Sequence, residues 1–178
     1  HAHAAKGIVN ATRAGVASIE HGSLIDDEGI ALMKQKGTYM VPTLYTLDFI
    51  INEGKESGVP QYGIDKAIEI SRVQRANLKK AYQAGVKFAY GTDAAVFPHG
   101  RNARDFGILV DQLGVPPMEA IRMATQYAAE LIGISDKVGT IEPGKWADLI
   151  AVSGDPLQNI RLLEDVKFVM KGGIAAKQ

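Results

Sequence analysis

Two histidines and one aspartate stand where the side chains of a parallel sheet could hold a metal ion. His1 is the first residue, and His21 and Asp93 each follow a short apolar run with the composition of a strand. Because the carboxyl ends of parallel strands meet at one face of a sheet or barrel, side chains that follow such strands are expected to lie together. The chain has no cysteine, so any metal must be held by nitrogen and oxygen ligands. The pattern predicts a metal site formed by His1, His21 and Asp93; the structural alternatives are a helix cap for Asp93 and a buried, backbone-bonded imidazole for His21.

Three further side chains near these strand ends are candidates for substrate contact. His3 lies two residues after His1 and competes with it for the ligand role; His1 is favoured as the ligand, and His3 as a residue that supports the ligands or contacts substrate. Tyr45 follows a strand-like run, and its phenol could donate to a developing oxyanion or pack under the following loop. His99 belongs to a Pro-His-Gly turn beyond Asp93 and could bind substrate or face solvent.

Alternating helical and strand-like segments must position these residues. Three times, a segment with helical periodicity ends in a glycine and is followed at once by a strand-like run. The helices are predicted at 4–14, 28–36 and 64–84, and the strands at 16–20, 38–44 and 86–90. Such an αβ repeat indicates a parallel sheet. Three units would also fit an open doubly wound sheet, but histidines and a carboxylate at the strand ends favour a barrel.

The segments between and after these units do not follow the helix–glycine–strand pattern. Residues 45–63 contain three glycines and Pro60 and are predicted to form a loop or lid. Helices are predicted at 102–113 and 116–132. From residue 138 the chain is β-rich, with two short strands in 138–152 joined by a Pro-Gly turn and a hairpin in 166–175. We therefore expect one domain over 1–135 and a small β layer over 136–178.

Composition excludes several classes of partner. The chain has 20 lysine and arginine residues and 20 aspartate and glutamate residues. This balance gives no indication that the protein binds nucleic acid or an anionic membrane surface. No apolar run approaches the roughly 20 residues of a membrane helix. No secretory leader is visible, which favours a cytoplasmic location, although a signal upstream of residue 1 stays open. Because the sequence starts with histidine inside a motif, we expect the functional protein to be larger than these 178 residues.

Four motifs at these positions resemble one known superfamily when they are taken together. They are His1-Ala2-His3, Ile19-Glu20-His21-Gly22, Gly91-Thr92-Asp93 and the run GTIEPGKWADL at 139–149. In this order and spacing the chain resembles the amidohydrolase superfamily, with the closest similarity to the branch of imidazolonepropionase-like proteins and metal-dependent Xaa-Pro dipeptidases (prolidases). The resemblance covers the whole chain, as the C-terminal half of such an enzyme.

The resemblance implies a fold and a metal site. The fold would be α/β: strands five to eight of a (β/α)8 TIM-type barrel plus the C-terminal part of a small β-sandwich. His1, His21 and Asp93 would be the ligands that end the fifth, sixth and eighth barrel strands. The family's His-x-His pair on the first strand and its bridging residue on the fourth, often a carboxylated lysine, have no counterpart here. The resemblance thus implies two divalent ions, most simply zinc, shared with an N-terminal half of the same protein.

The implied reaction is hydrolysis of a C–N bond in a small amide or dipeptide, foremost by a binuclear dipeptidase of the Xaa-Pro type. Metal ions make hydroxide available near neutral pH by lowering the pKa of water, and Asp93 would take its proton and pass it to the leaving nitrogen. The alternatives are a cyclic amidohydrolase related to imidazolonepropionase and a non-catalytic α/β protein that binds a small ligand. Whether the protein forms a homo-oligomer is left open.

Overall fold

The computed structural model describes residues 1–177 and is an α/β protein. The helices are α1 Ala5–Ala14, α2 Asp27–Lys36, α3 Tyr45–Glu53, α4 Gln61–Gln83, α5 Arg104–Asp111, α6 Pro117–Ala124 and α7 Gln126–Leu131. The strands are β1 Ala2–Ala4, β2 Ser18–Leu24, β3 Tyr39–Val41, β4 Leu149–Ala151, β5 Phe168–Lys171 and β6 Ile174–Lys177, and a 3₁₀ helix covers Ile160–Glu164. None of the helices in this described part of the chain combines the length and apolarity that crossing a bilayer requires.

The N-terminal sheet is parallel, as the αβ repeat predicts. Its strand order is β1-β2-β3, which follows the order of the chain. The predicted strand at 86–90 lies beside β3 but makes only one parallel bridge, between Met40 and Phe88. The Met40 amide donates to the Lys87 carbonyl at 2.8 Å, and the Ala89 amide donates to the Met40 carbonyl at 3.0 Å. This segment therefore continues the sheet and carries Asp93 just beyond it.

The helices cover the sheet with one large apolar core. Ile8 of α1, Met33 of α2 and Leu78 of α4 are fully buried, together with Met40 of β3. Burial of each such side chain stabilises the fold by about 1.5–3 kcal/mol. Local signals set the helix ends: α1 and α2 both stop at a left-handed glycine, and the Asp26 carboxylate accepts from the Gly29 amide to cap α2.

Two predictions about the middle of the chain are wrong. Residues 45–63 are not one loop, because α3 occupies their first half and buries Leu47 and Phe49, and only residues 54–60 connect it to α4. The helix predicted at 116–132 is two helices, because Thr125 leaves helical geometry with φ −122° and ψ −83°. The Thr125 hydroxyl donates to the Ile121 carbonyl at 2.8 Å, a bond of the kind that competes with regular helix.

The C-terminal residues form a separate antiparallel sheet with the order β4-β5-β6. The hairpin predicted in 166–175 is confirmed as β5 and β6. Of the two strands predicted in 138–152, only β4 forms within the described residues. The domain boundary after residue 135 stays a prediction.

Candidate metal centre

Three imidazoles gather where β1 meets β2. Ala2 of β1 pairs with His21 of β2 and so brings the residues on either side of Ala2 to the same place. His1 Nδ1 lies 2.9 Å from His21 Nε2. The His3 ring stacks on the His21 ring with centroids 4.5 Å apart and an interplanar angle of 3°. The structure thus brings both histidines of the His-x-His motif to His21, as expected for residues two apart on one strand.

The backbone is unusual at this place. Strand β2 continues to Leu24, so His21 lies inside it rather than after its end. Among residues 1–177, four non-glycine residues have a positive φ, and three of them belong to this region: His21 at 74°, Thr43 at 46° and Asp93 at 57°. Such conformations are strained for side chains with a Cβ and concentrate at functional sites, where surrounding contacts hold them. The strain marks the same residue pair, His21 and Asp93, that strand-end position selected.

Hydrogen bonds from neighbouring elements orient the imidazoles. The Thr43 hydroxyl, just after β3, lies 2.8 Å from His21 Nδ1, which leaves Nε2 directed toward His1. Ser23 Oγ lies 3.0 Å from His3 Nδ1, and Gln74 of α4 donates to the same Ser23 oxygen at 3.2 Å. Partners of this kind on the second ring nitrogen of a histidine fix its tautomer and ring orientation.

A cavity of about 390 Å³ opens beside the histidines. Its volume falls in the range of pockets that hold small molecules. His3, His21 and Asp93 line it on the side of the sheet, and α3 and α4 supply most of the remaining wall. That wall is mainly apolar, with Lys66 as its cation: Thr43, Thr46, Leu47, Ile50, Tyr62, Gly63, Lys66, Ala67, Ile70, Gln74 and Val96.

The electrostatics favour neutral imidazoles. Burial lowers the pKa of His3 and of His21 below its usual value, and the nearby Asp93 carboxylate opposes that effect for both rings. A neutral imidazole has a free lone pair, and this is the protonation state that binds a metal ion. Asp93 is therefore close enough to act on two of the three histidines.

The donor atoms match a divalent cation, but the group is incomplete. In residues 1–177, no set of three or more histidine, aspartate or glutamate side chains is arranged to hold a metal ion. The predicted ligands His1, His21 and Asp93 would give two nitrogens and a carboxylate oxygen, whereas zinc takes four ligands or three and a water. The donor chemistry fits zinc, with coordination positions left for ligands from elsewhere, and the ligand roles stay a prediction.

The structure places the other two candidates away from the cavity. Tyr45 is 6% exposed, and its ring packs edge-on against Phe97. The Tyr45 hydroxyl accepts a hydrogen bond of 2.6 Å from Arg104. His99 is exposed in the turn beyond Asp93 and does not line the cavity. A substrate-binding role for Tyr45 or His99 stays a prediction.

Sequence reasoning missed the residues that support the histidines. Thr43 follows β3, which ends at Val41, but the strand predicted at 38–44 includes it, so the strand-end argument did not select it. Gln74 lies seven residues after Ala67 and four before Leu78, within the apolar stripe of α4, and is 1% exposed. A polar residue in such a stripe signals a buried hydrogen bond.

Comparison with known proteins agrees with the motif resemblance. A sequence profile described as "Amidohydrolase family" matches residues 1–175. A crystal structure of a Xaa-Pro dipeptidase with methionine bound in the active site superposes on the whole chain with a TM-score of 0.93 and 44% identity. A prolidase complexed with N-methylphosphonate-L-proline gives a TM-score of 0.91 and 34% identity, again over the whole chain.

A relative of a different kind is also similar. Ochratoxinase from Aspergillus niger is 33% identical over 177 residues, which cover 97% of this chain. The chain spans only 36% of ochratoxinase and 44% of each of the two dipeptidase structures. The family profile nevertheless matches nearly every residue of this chain, so the assignment to the family holds although the chain spans less than half of these relatives. The chain belongs to the amidohydrolase family.

Proposed function

We propose that this chain is part of a metal-dependent hydrolase that cleaves the C–N bond of a small substrate, most specifically an Xaa-Pro dipeptide. The observation that carries the proposal is the contact of His1 and His3 with His21 at a cavity that Asp93 also lines. The similarity to the two dipeptidase structures supports the choice of substrate class.

We assign His1, His21 and Asp93 to the metal, with zinc as the expected ion. The Thr43 hydroxyl would hold His21 so that Nε2 is the coordinating atom. The remaining ligands, and a second ion, would come from an N-terminal part of the protein that completes a (β/α)8 barrel and its β-sandwich. A divalent ion at this site would supply hydroxide near neutral pH by lowering the pKa of water to about 7.

In this scheme the residues of the chain handle the proton and the substrate. Asp93 accepts the proton of the attacking water and donates it to the leaving nitrogen. The apolar wall from α3 and α4 packs the substrate side chains and excludes water from the cleaved bond. Lys66, which also bonds Glu69 at 2.9 Å, provides a cation for the free carboxylate of a dipeptide.

The similarity to ochratoxinase favours a second candidate, a hydrolase for a bulkier amide. The two can be told apart with the complete gene product that contains this chain. Zinc content per polypeptide is measured first, and hydrolysis is then compared on Met-Pro, on ochratoxin and on a cyclic amide. Turnover of Met-Pro above the others supports the dipeptidase, and turnover of another substrate above Met-Pro replaces it. A metal-free protein without turnover would contradict the hydrolase as such.

Replacement of the proposed proton carrier tests the mechanism. Asp93→Asn keeps an oxygen donor but cannot accept the proton, so we expect kcat on the best substrate to fall about 10²–10⁴-fold while metal content falls only in part. Asp136→Asn removes an exposed carboxylate and is the matched control. Unchanged turnover in Asp93→Asn would remove Asp93 from the mechanism.

A further inference from the structure

Asp105 is a buried carboxylate that the proposed mechanism does not use. It lies near the start of α5 and is 2% exposed. Its Oδ1 accepts a hydrogen bond of 2.9 Å from the backbone amide of Tyr45, 60 residues earlier in the chain. Its Oδ2 is buried without a hydrogen-bond partner among the described residues. A carboxylate in such a place is expensive to retain, so a specific role is worth seeking.

The partner of Asp105 lies in the segment that connects the two sides of the candidate site. We call residues 43–46 the α3 start. On one side, its Thr43 hydroxyl lies 2.8 Å from His21 Nδ1. On the other side, its Thr46 hydroxyl donates to the carbonyl of Thr92, the residue before Asp93, at 3.2 Å. The α3 start therefore contacts two parts of the candidate site. One is the histidine cluster of His1, His3 and His21, and the other is the segment that follows residue 90 and carries Asp93, which we call the Asp93 loop.

The α3 start supplies no side-chain cap for the first turn of its own helix. Leu44 occupies the N-cap position of α3 and makes no side-chain cap bond, so the free amides of the first turn need another acceptor. Asp105 is that acceptor for Tyr45. Arg75 of α4 adds a bond of 3.3 Å to the Leu44 carbonyl. Asp105 and Arg75 thus fix the backbone of the two residues that follow Thr43.

We infer that Asp105 is a positioning residue for the candidate metal centre. It anchors the α3 start, and the α3 start holds His21 on one side and the Asp93 loop on the other. The inference rests on the proposed metal site for its consequence, but the anchoring itself concerns residues of this chain alone.

Zinc affinity of the complete protein tests the consequence. Asp105→Ala removes the acceptor, and we expect zinc to bind about 10–100-fold more weakly in a competition with a fluorescent chelator. Asp105→Asn retains an oxygen acceptor for Tyr45 and should restore the affinity. Leu109→Ala opens a cavity in the same helix at a residue that is 1% exposed, and it should leave the affinity within about twofold. Equal losses in Leu109→Ala and Asp105→Ala, or none in Asp105→Ala, would overturn the inference.

A second variant at position 105 allows the same test if Asp105→Ala is too unstable to purify. If Asp105→Ala does not fold, Asp105→Leu fills the space and still lacks the acceptor, so the same loss is expected. Thr43→Val removes the hydroxyl that reaches His21, and the effect of Asp105→Leu should shrink in that background because both act through one segment. Full additivity would contradict the route through Thr43.

A readout without metal separates this inference from the proposed function. Nitrogen chemical shifts of labelled histidine report which ring nitrogen of His21 carries the proton. We expect one tautomer to dominate in the metal-free wild type and a mixture in Asp105→Ala. If the wild type binds no zinc, the proposed function fails, whereas the tautomer shift still decides the role of Asp105. An unchanged tautomer would refute it.

Discussion

Asp105 also makes a quantitative prediction about the pH dependence of stability. Burial raises its pKa to about 7, against the partial opposition of the Tyr45 and Leu44 amides and the Arg75 guanidinium, while the Asp48 carboxylate adds to the rise. The unfolded chain should titrate at the ordinary aspartate value near 3.9. Between these two values the folded state binds more protons than the unfolded state. The free energy of unfolding therefore falls as pH rises through this window, and the loss is complete above about pH 7.

The size of the effect follows from the two pKa values. The difference of about three pH units corresponds to about 4 kcal/mol in total, of which about 2–3 kcal/mol falls between pH 5 and pH 8. Asp105→Asn cannot ionise and loses this dependence. Its amide nitrogen would stand where Oδ2 has no partner among residues 1–177, which costs about 1–3 kcal/mol at every pH. We therefore expect the variant to be less stable than wild type at pH 5. Between pH 5 and pH 8 the difference in the free energy of unfolding should shift by about 2–3 kcal/mol in favour of the variant.

Urea unfolding of both proteins at several pH values between 5 and 8 measures this difference. Other titrating groups, His3 and His21 among them, are common to both proteins and cancel in the comparison. Asp111→Asn removes the same charge from an exposed position in the same helix, where Asp111 pairs with Arg161, and its effect should stay constant with pH within about 0.5 kcal/mol. Parallel curves for wild type and Asp105→Asn would show that the buried carboxyl titrates normally and would refute the reasoning.

Two other substitutions probe the histidine cluster itself. His21→Ala should remove about one zinc ion per polypeptide by elemental analysis, because the imidazole nearest His1 is lost; full retention would exclude His21 as a ligand. Gly22→Ala should lower the free energy of unfolding by more than Gly15→Ala does in urea titrations. Both glycines have positive φ, but only a Cβ at Gly22 would overlap the Met40 thioether, so equal losses would contradict the packing argument.

The parallel sheet was predictable because its signals are local. Gly15 and Gly37 close α1 and α2 in the left-handed conformation that the C-terminal glycine rule expects. Helix α3 was missed for the opposite reason. The acceptor for the amide of its first residue is Asp105, which lies 60 residues away. The residues next to the helix start therefore contain no capping signal that would predict it. A cap supplied from a distant element leaves no pattern in the segment that it caps.

The candidate site likewise has features that the sequence predicts and features that it does not. The residue types that could bind a metal are visible in the sequence, because histidine and aspartate after apolar runs are uncommon and chemically specific. The conformations that bring them together are not visible: His21 lies within β2 at a positive φ, where the sequence predicted the end of a strand. The residues that support them lie just after β3, in α4 and in α5, and contacts across such separations in sequence depend on the tertiary fold.

Strain and support at this site explain one another. His21, Thr43 and Asp93 each adopt a backbone conformation that costs about 1–3 kcal/mol for a residue with a Cβ, and such conformations persist only when surrounding contacts over-determine them. Asp105 contributes to that over-determination while its own burial works against stability above neutral pH. An apolar side chain of similar volume would avoid the titration but would leave the Tyr45 amide without an acceptor. A carboxyl at position 105 is therefore better understood as support for the geometry of the site than as a contribution to the stability of the fold.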